Sequence, residues 1–225
     1  MILFRNLAIT ALFIMVSAGL SASNAFAQDA QEGNAPADLA RGEQLFQLCT
    51  QCHGSAGGGN AEFLAPGIAG LPDWYVVAQL EKFHSGARGL NPKDTGGLRM
   101  YPMSLWLRED SDRRAVSAYV ASLPRQAPKN EFHEPGDAEK GAGYYAVCSA
   151  CHMADGSGNQ GMGAPPLTDM SDWYLYSSIE KYKAGIRGSG KGDSLGPVMI
   201  GMAATLPDPD AIRDVIAYIQ TLGKN

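Results

Sequence analysis

The sequence predicts an all-α protein built as two tandem copies of one small helical domain, on three observations. A block recurs at a fixed offset: Cys49-Thr50-Gln51-Cys52-His53 returns 99 residues later as Cys148-Ser149-Ala150-Cys151-His152. The same offset carries Gly42 to Gly141, Pro66 to Pro165, Trp74-Tyr75 to Trp173-Tyr174, and Gly86, Arg88 and Gly89 to Gly185, Arg187 and Gly188. It also carries Met100 and Met103 to Met199 and Met202, then Tyr119 and Leu123 to Tyr218 and Leu222. Of the 86 ungapped pairs from Asp38/Asp137 to Leu123/Leu222, 28 are identical, and register held over that length marks two homologous domains. The second observation is a helical stripe near the end of each copy, Val116, Tyr119, Val120 and Leu123, repeated as Val215, Tyr218, Ile219 and Leu222, at i, i+3, i+4 and i+7. The third is that no segment alternates apolar and polar residues as a half-buried strand would.

Taken in order, residues 1–27 read as a signal peptide. They carry a single charge, Arg5, then the 14-residue apolar run Leu7–Leu20, then Ala25-Phe26-Ala27, the n-region, h-region and A-x-A site of a secretory address. The run is short for a membrane span, which needs about 20 residues, so the mature chain is expected to start near Gln28. Domain 1 then occupies 28–125, a polar, proline-punctuated linker 126–136, and domain 2 137–225. Asp38 and Asp137 are the expected N-caps of a first helix running into the Cys-x-x-Cys-His motif, and Asp73 and Asp172 of a second. The Val116 and Val215 stripes form the third. Glycine (27) and proline (13) promise long loops, so each domain of about 90 residues has a thin core that a bound group should fill.

Composition excludes several classes of function. With 45% hydrophobic and 18% charged residues and a mean hydropathy of −0.16, the chain is neither disordered nor a multi-span membrane protein. A formal charge of −5 and a pI near 5.3 argue against nucleic acid as a partner, because phosphate binding needs a basic face.

The chemistry lies in the repeated Cys-x-x-Cys-His. This is the attachment signal of c-type haem: on one helical turn two thiols reach the two vinyl groups of a porphyrin edge, and the next residue offers its imidazole to the iron. Cys49 and Cys52 are the expected thioethers of one haem c with His53 its proximal ligand; Cys148, Cys151 and His152 serve a second. A structural zinc wants four nitrogen or sulfur ligands, and each cluster supplies three. A thioredoxin-like dithiol needs a βαβ setting, and simple disulfides leave the twice-placed histidine unexplained.

The distal ligand separates an electron carrier from an enzyme, because an iron with both axial positions filled has no room for a substrate. Methionine thioether favours the reduced iron and raises the potential. Each copy holds two methionines three apart, Met100 and Met103, Met199 and Met202, and the spacing alone does not choose within a pair.

The motif near the domain start, the late methionine and the closing Tyr-containing helix resemble class I cytochrome c, and the tandem arrangement resembles the dihaem cytochrome c4 family. That resemblance implies two helical pockets with His/Met iron and electrons passed on towards a terminal oxidase. In the family the ligand methionine stands seven residues before a leucine that precedes the last helix; Leu107 and Leu206 fit, which points to Met100 and Met199. It further implies that the Pro66 and Pro165 carbonyls accept a hydrogen bond from the proximal histidines, and that Gly42 and Gly141 lie where first and last helices cross, beside Tyr119 and Tyr218. Arg88 and Arg187 are candidates to pair with haem propionates, with a solvated arginine the equal alternative. Trp74 and Trp173 read as core, and His84, aligned with Lys183, as a solvated loop side chain. The sequence departs from the pattern at Met153, where the first copy has Gly54, and in the additional Met162 and Met170.

The expected function is a periplasmic dihaem electron carrier without enzymatic activity of its own, exchanging single electrons with a redox donor and acceptor such as a cytochrome complex, oxidase or dehydrogenase. Peripheral attachment to a membrane is compatible with this. The rivals are a dihaem oxidoreductase (a peroxidase or sulfur-compound dehydrogenase) and a haem subunit of a larger complex. Between the expected cleavage site and Arg125 there are 9 basic and 11 acidic residues, and beyond it 8 and 12, so the copies could be steered to different partners by charge.

Overall fold

A computed structural model of the chain describes residues 36–128, 130–131 and 136–223. The expected signal peptide and part of the expected linker lie outside the described residues. Eight α-helices are present among those described: α1 (Pro36–His53), α2 (Asp73–His84), α3 (Thr95–Trp106) and α4 (Asp110–Ser122) in the first half, then α5 (Ala138–His152), α6 (Asp172–Lys183), α7 (Gly196–Ala203) and α8 (Pro209–Ile219) in the second. Extended pairing among the described residues is confined to two isolated bridges, Asn60 with Ala65 and Asn159 with Ala164. The all-α architecture in two equivalent halves is therefore as expected. None of the described helices is long and apolar enough to cross a membrane.

Each half has four helices where three were expected. The additional ones, α3 and α7, carry the methionines. Their sequences hold Gly96, Gly97 and Pro102, or Gly196 and Gly201, residues that weigh against a helix on propensity, while Pro197 falls in the first turn, where it is tolerated; in both helices a carboxylate binds a first-turn N–H. Asp94 accepts from Gly97 N at 3.0 Å and Asp193 from Gly196 N at 2.9 Å, each satisfying an orphan donor of a first turn.

Helix starts also differ in detail. Asp137 caps α5 as expected, accepting from Glu139 N at 2.9 Å and Lys140 N at 3.2 Å. Asp38 instead lies inside the first turn of α1, which already begins at Pro36. Asp73 and Asp172 are the first helical residues rather than the caps: the chain arrives extended at Pro72 and Ser171, and each carboxylate accepts from the next N–H, Trp74 N and Trp173 N, at 2.6 Å.

In each half the first and last helices cross at glycine. A Cβ on Gly42 would lie 2.2 Å from the Ala115 carbonyl oxygen, and one on Gly141 1.9 Å from that of Asp214, so no side chain fits at either crossing. Phe46 packs on Tyr119 with ring centroids 5.4 Å apart, and Tyr145 on Tyr218 at 5.3 Å. The first core gathers Leu45, Phe46, Leu80, Leu107, Val116 and Val120. The second gathers Leu175, Leu206, Ile212, Val215, Ile216 and Ile219 and takes in Leu71 and Tyr75 from the first half, so apolar packing runs unbroken between the halves. Trp74 packs on this second cluster, as expected of a core residue.

Three of the described non-glycine residues, Leu64, Met153 and Asp169, have positive φ, and Met153 is the most strained of them. After α5 the chain turns through Met153 at φ 66° and ψ 158°, a region that is almost exclusively glycine's; its counterpart is Gly54, at φ 79°. Met153→Gly is expected to raise the stability of the second half by about 1 kcal/mol, the released strain exceeding the added unfolded-chain entropy. Thermal unfolding of the holoprotein checks this, with a midpoint higher by a few degrees.

Candidate functional site

The last turns of α1 and α5 place Cys49, Cys52 and His53, and Cys148, Cys151 and His152, at i, i+3 and i+4, three neighbouring positions on one helix face. Both imidazoles are buried, at 9% and 6% exposure. Immediately after each histidine the chain folds back. Gly59 N bonds His53 O at 2.8 Å and Gly158 N bonds His152 O at 3.0 Å, with both glycines at positive φ. The Asn60–Ala65 and Asn159–Ala164 bridges close these loops. The returning strand of each loop presents the Pro66 or Pro165 carbonyl, 2.8 Å from Nδ1 of His53 or His152, as the resemblance implied. A carbonyl only accepts, so Nδ1 carries the proton and Nε2 keeps its lone pair for a metal. Burial lowers both imidazole pKa values against the opposing pull of these carbonyls, which keeps the rings neutral as ligation requires.

None of the four cysteines is in a disulfide, and burial pushes the Cys49 thiol up to about 11 and raises Cys148 as well. No group of three or more His, Cys, Asp and Glu side chains converges to hold a metal ion among the described residues.

A cavity of about 370 Å³ opens beside the first motif. Cys49, Cys52 and His53 line it, together with Met100 and Met103 from α3 and with Leu80, Phe83, Val116 and Val120. Met170, Trp173 and Tyr174 of the second half line it too: of the tryptophans read as core, Trp173 borders the cavity, and the additional Met170 is buried between the halves. Met100 and Met103 are both half-buried at this cavity. Met100 packs against the first core cluster. Met199 is half-buried, whereas Met202 is 36% exposed. Leu107 and Leu206, the leucines used for register, are both buried at 4%.

Arg88 and Arg187 are not solvated. Arg88 donates to Gln79 Oε1 at 2.7 Å and Arg187 to Ser178 Oγ at 3.0 Å, and each reaches across to a tyrosine hydroxyl of the other half at 3.5 Å, Arg88 to Tyr174 and Arg187 to Tyr75. Among the described residues neither has a carboxylate partner, and Arg88 Nε is buried with none at all. Arg187 is buried and Arg88 half-buried, and the apolar cavity with the orphaned Arg88 donor at its wall fits a haem with its propionates.

His84 departs from expectation. It ends α2 and places Nδ1 3.1 Å from the Ser104 carbonyl; Lys183, its counterpart, donates to the Leu206 carbonyl. Each ties the second helix of its half to the end of the methionine segment. The sequence reading also missed two ion pairs between the halves, Lys82 with Asp193 at 2.7 Å and Lys181 with Asp94 at 2.8 Å. Burial disfavours the Asp94 carboxylate, but the Lys181 ammonium and the Gly97 N–H outweigh it and hold its pKa below the usual value. The signal was present, since all four residues recur at the offset of 99.

Comparison with known proteins agrees with this geometry. The family model described as cytochrome c matches residues 39–124 and again 138–223. The chain belongs to the cytochrome c family. Each matched segment of this dihaem cytochrome holds one Cys-x-x-Cys-His, so it carries two covalently attached haem c groups. Bound there, haem supplies an iron that alternates between ferric and ferrous states. Cytochrome c4 of Azotobacter vinelandii is 27% identical over 200 residues, covering 84% of this chain and 91% of that protein. The cbb3-type cytochrome c oxidase subunit CcoP of Rubrivivax gelatinosus is 36% identical over 138 residues, 60% of this chain, which there spans only 40% of the relative. The structure of reduced recombinant cytochrome c4 from Pseudomonas stutzeri superposes with a TM-score of 0.66 at 26% identity, over 82% of this chain and 98% of that one.

Proposed function

We propose that this cytochrome is a periplasmic electron carrier that passes single electrons between redox protein partners, towards a terminal oxidase. One observation carries the reading: both halves repeat a buried, carbonyl-anchored imidazole on one helix and a methionine pair on another, the arrangement that fills both axial positions of an iron. In this reading Cys49, Cys52 and His53 with Met100 hold the first haem, and Cys148, Cys151 and His152 with Met199 the second. Residues 28–125 and 137–225 form the two domains after removal of 1–27. Neutral His53 and His152 supply nitrogen, α3 and α7 supply sulfur, and Arg88 and Arg187 hold the propionates while apolar walls exclude water. The similarity to a cytochrome c4 along nearly the full length of both proteins supports the carrier role, and the partial match to CcoP supports work beside an oxidase. The test is a redox titration with optical spectra, followed by carbon monoxide. Two one-electron haems and no carbon monoxide binding to the reduced protein are expected, whereas stoichiometric binding at either haem revives the oxidoreductase reading.

A further inference from the structure

We propose that the two halves hold each other's methionine helices, with Lys181 of the second half positioning α3 and Lys82 of the first positioning α7, each through the aspartate that binds a first-turn N–H of the helix it positions. The geometry is reciprocal. Lys181 Nζ lies 2.8 Å from Asp94 Oδ1, and the same oxygen accepts the Gly97 N–H at 3.0 Å. Lys82 Nζ lies 2.7 Å from Asp193 Oδ1, and that oxygen accepts the Gly196 N–H at 2.9 Å. Both carboxylates are buried, at 1% and 6% residue exposure, so neither has water to fall back on when its ammonium is removed, and an unpaired buried charge is strongly disfavoured.

Why this should reach the methionines follows from what α3 and α7 are. α7 has eight residues and α3 twelve, too short to persist without tertiary support. Each start is also pressed against glycine backbone: a Cβ on Gly89 would lie 2.7 Å from Gly97 O, and one on Gly188 2.8 Å from Gly196 O. The aspartate is thus the point that sets where the helix begins, and Met100 and Met199 stand six residues, less than two turns, beyond it. A lysine from the other half fixes that point.

The inference rests on the reading that a methionine of α3 and one of α7 closes each haem, and the test separates the two. Amide hydrogen exchange and proton NMR are measured on the holoprotein for K181Q and K82Q. In K181Q, exchange in α3 is expected to rise at least tenfold with α7 unchanged, and the shifted methyl resonance of the methionine on the first haem is expected to move. K82Q should do the reverse. The conservative K181R should restore the exchange of α3. Faster exchange confined to the substituted half, or equal in both helices, overturns the proposal, as does K181R behaving like K181Q, which would mean that packing rather than charge is at stake. If exchange crosses between the halves while both methionine resonances stay fixed, the coupling of the helices stands and the ligand assignment fails instead.

Discussion

Gly141→Ala is expected to destabilise the second half by about 3 kcal/mol or more, the upper end for overpacking, and to lower the haem-to-protein ratio from two towards one. The added carbon would sit 1.9 Å from the Asp214 carbonyl oxygen, 2.5 Å from its carbon and 3.0 Å from Tyr218 Cβ. The first two contacts are backbone on a helix whose buried face includes Val215, Ile216 and Ile219, so nothing flexible can give way, and α5 and α8 must separate. Against a total stability of about 5–15 kcal/mol for a domain, that loss removes much of the margin. Gly143→Ala provides the control on the same helix. Nothing lies within 4 Å of a Cβ there, so the substitution should stabilise α5 by up to about 1 kcal/mol. Denaturant unfolding of the two variants side by side checks the pair. Equal stabilities would show that the crossing tolerates a side chain.

Met100→Ala and Met199→Ala should each abolish the weak near-infrared sulfur-to-iron band of one haem and let one equivalent of carbon monoxide bind the reduced protein, with two equivalents in the double variant. The reduction potential of the altered haem should fall, since thioether favours ferrous iron. The reasoning is local. Met100 belongs to the packed wall of the first half, and Met199 is half-buried while Met202 is 36% exposed. Met103→Ala and Met202→Ala should therefore leave band and potential nearly unchanged. A band lost in Met103→Ala but kept in Met100→Ala would move the ligand by one turn of α3.

How far the sequence reveals this molecule depends on whether a feature is local. The Cys-x-x-Cys-His turns are local and repeated twice, and they were legible in the residues themselves; the proline acceptors and the crossing glycines, whose contacts lie 13 and 73 residues away, were legible only through the family resemblance. Helices α3 and α7 were not: Gly96, Gly97 and Pro102, and Gly196 and Gly201, speak against a helix, and their first turns are held by carboxylates, Asp94 and Asp193, paired with lysines 87 and 111 residues away in sequence. The same applies to Arg88 and Arg187, whose surroundings mix polar groups from both halves, and to His84 and Lys183, whose acceptor carbonyls lie 20 and 23 residues on. Distant partners leave no mark in a local pattern. The repeat leaves one, because a residue kept in both copies has been kept for something.

Lys82–Asp193 and Lys181–Asp94 are one contact displaced by the repeat, and so are Arg88–Tyr174 and Arg187–Tyr75. A surface that meets its own equivalent in this way is an isologous interface with pseudo-two-fold symmetry, the form a homodimer takes before its subunits are fused. Fusion replaces a dissociation constant with an effective concentration set by the connecting chain, so the haem pair stays assembled however dilute the protein becomes. It also releases the copies from identity: His84 stands where the other half has Lys183, and the exposed Trp106 where it has Thr205.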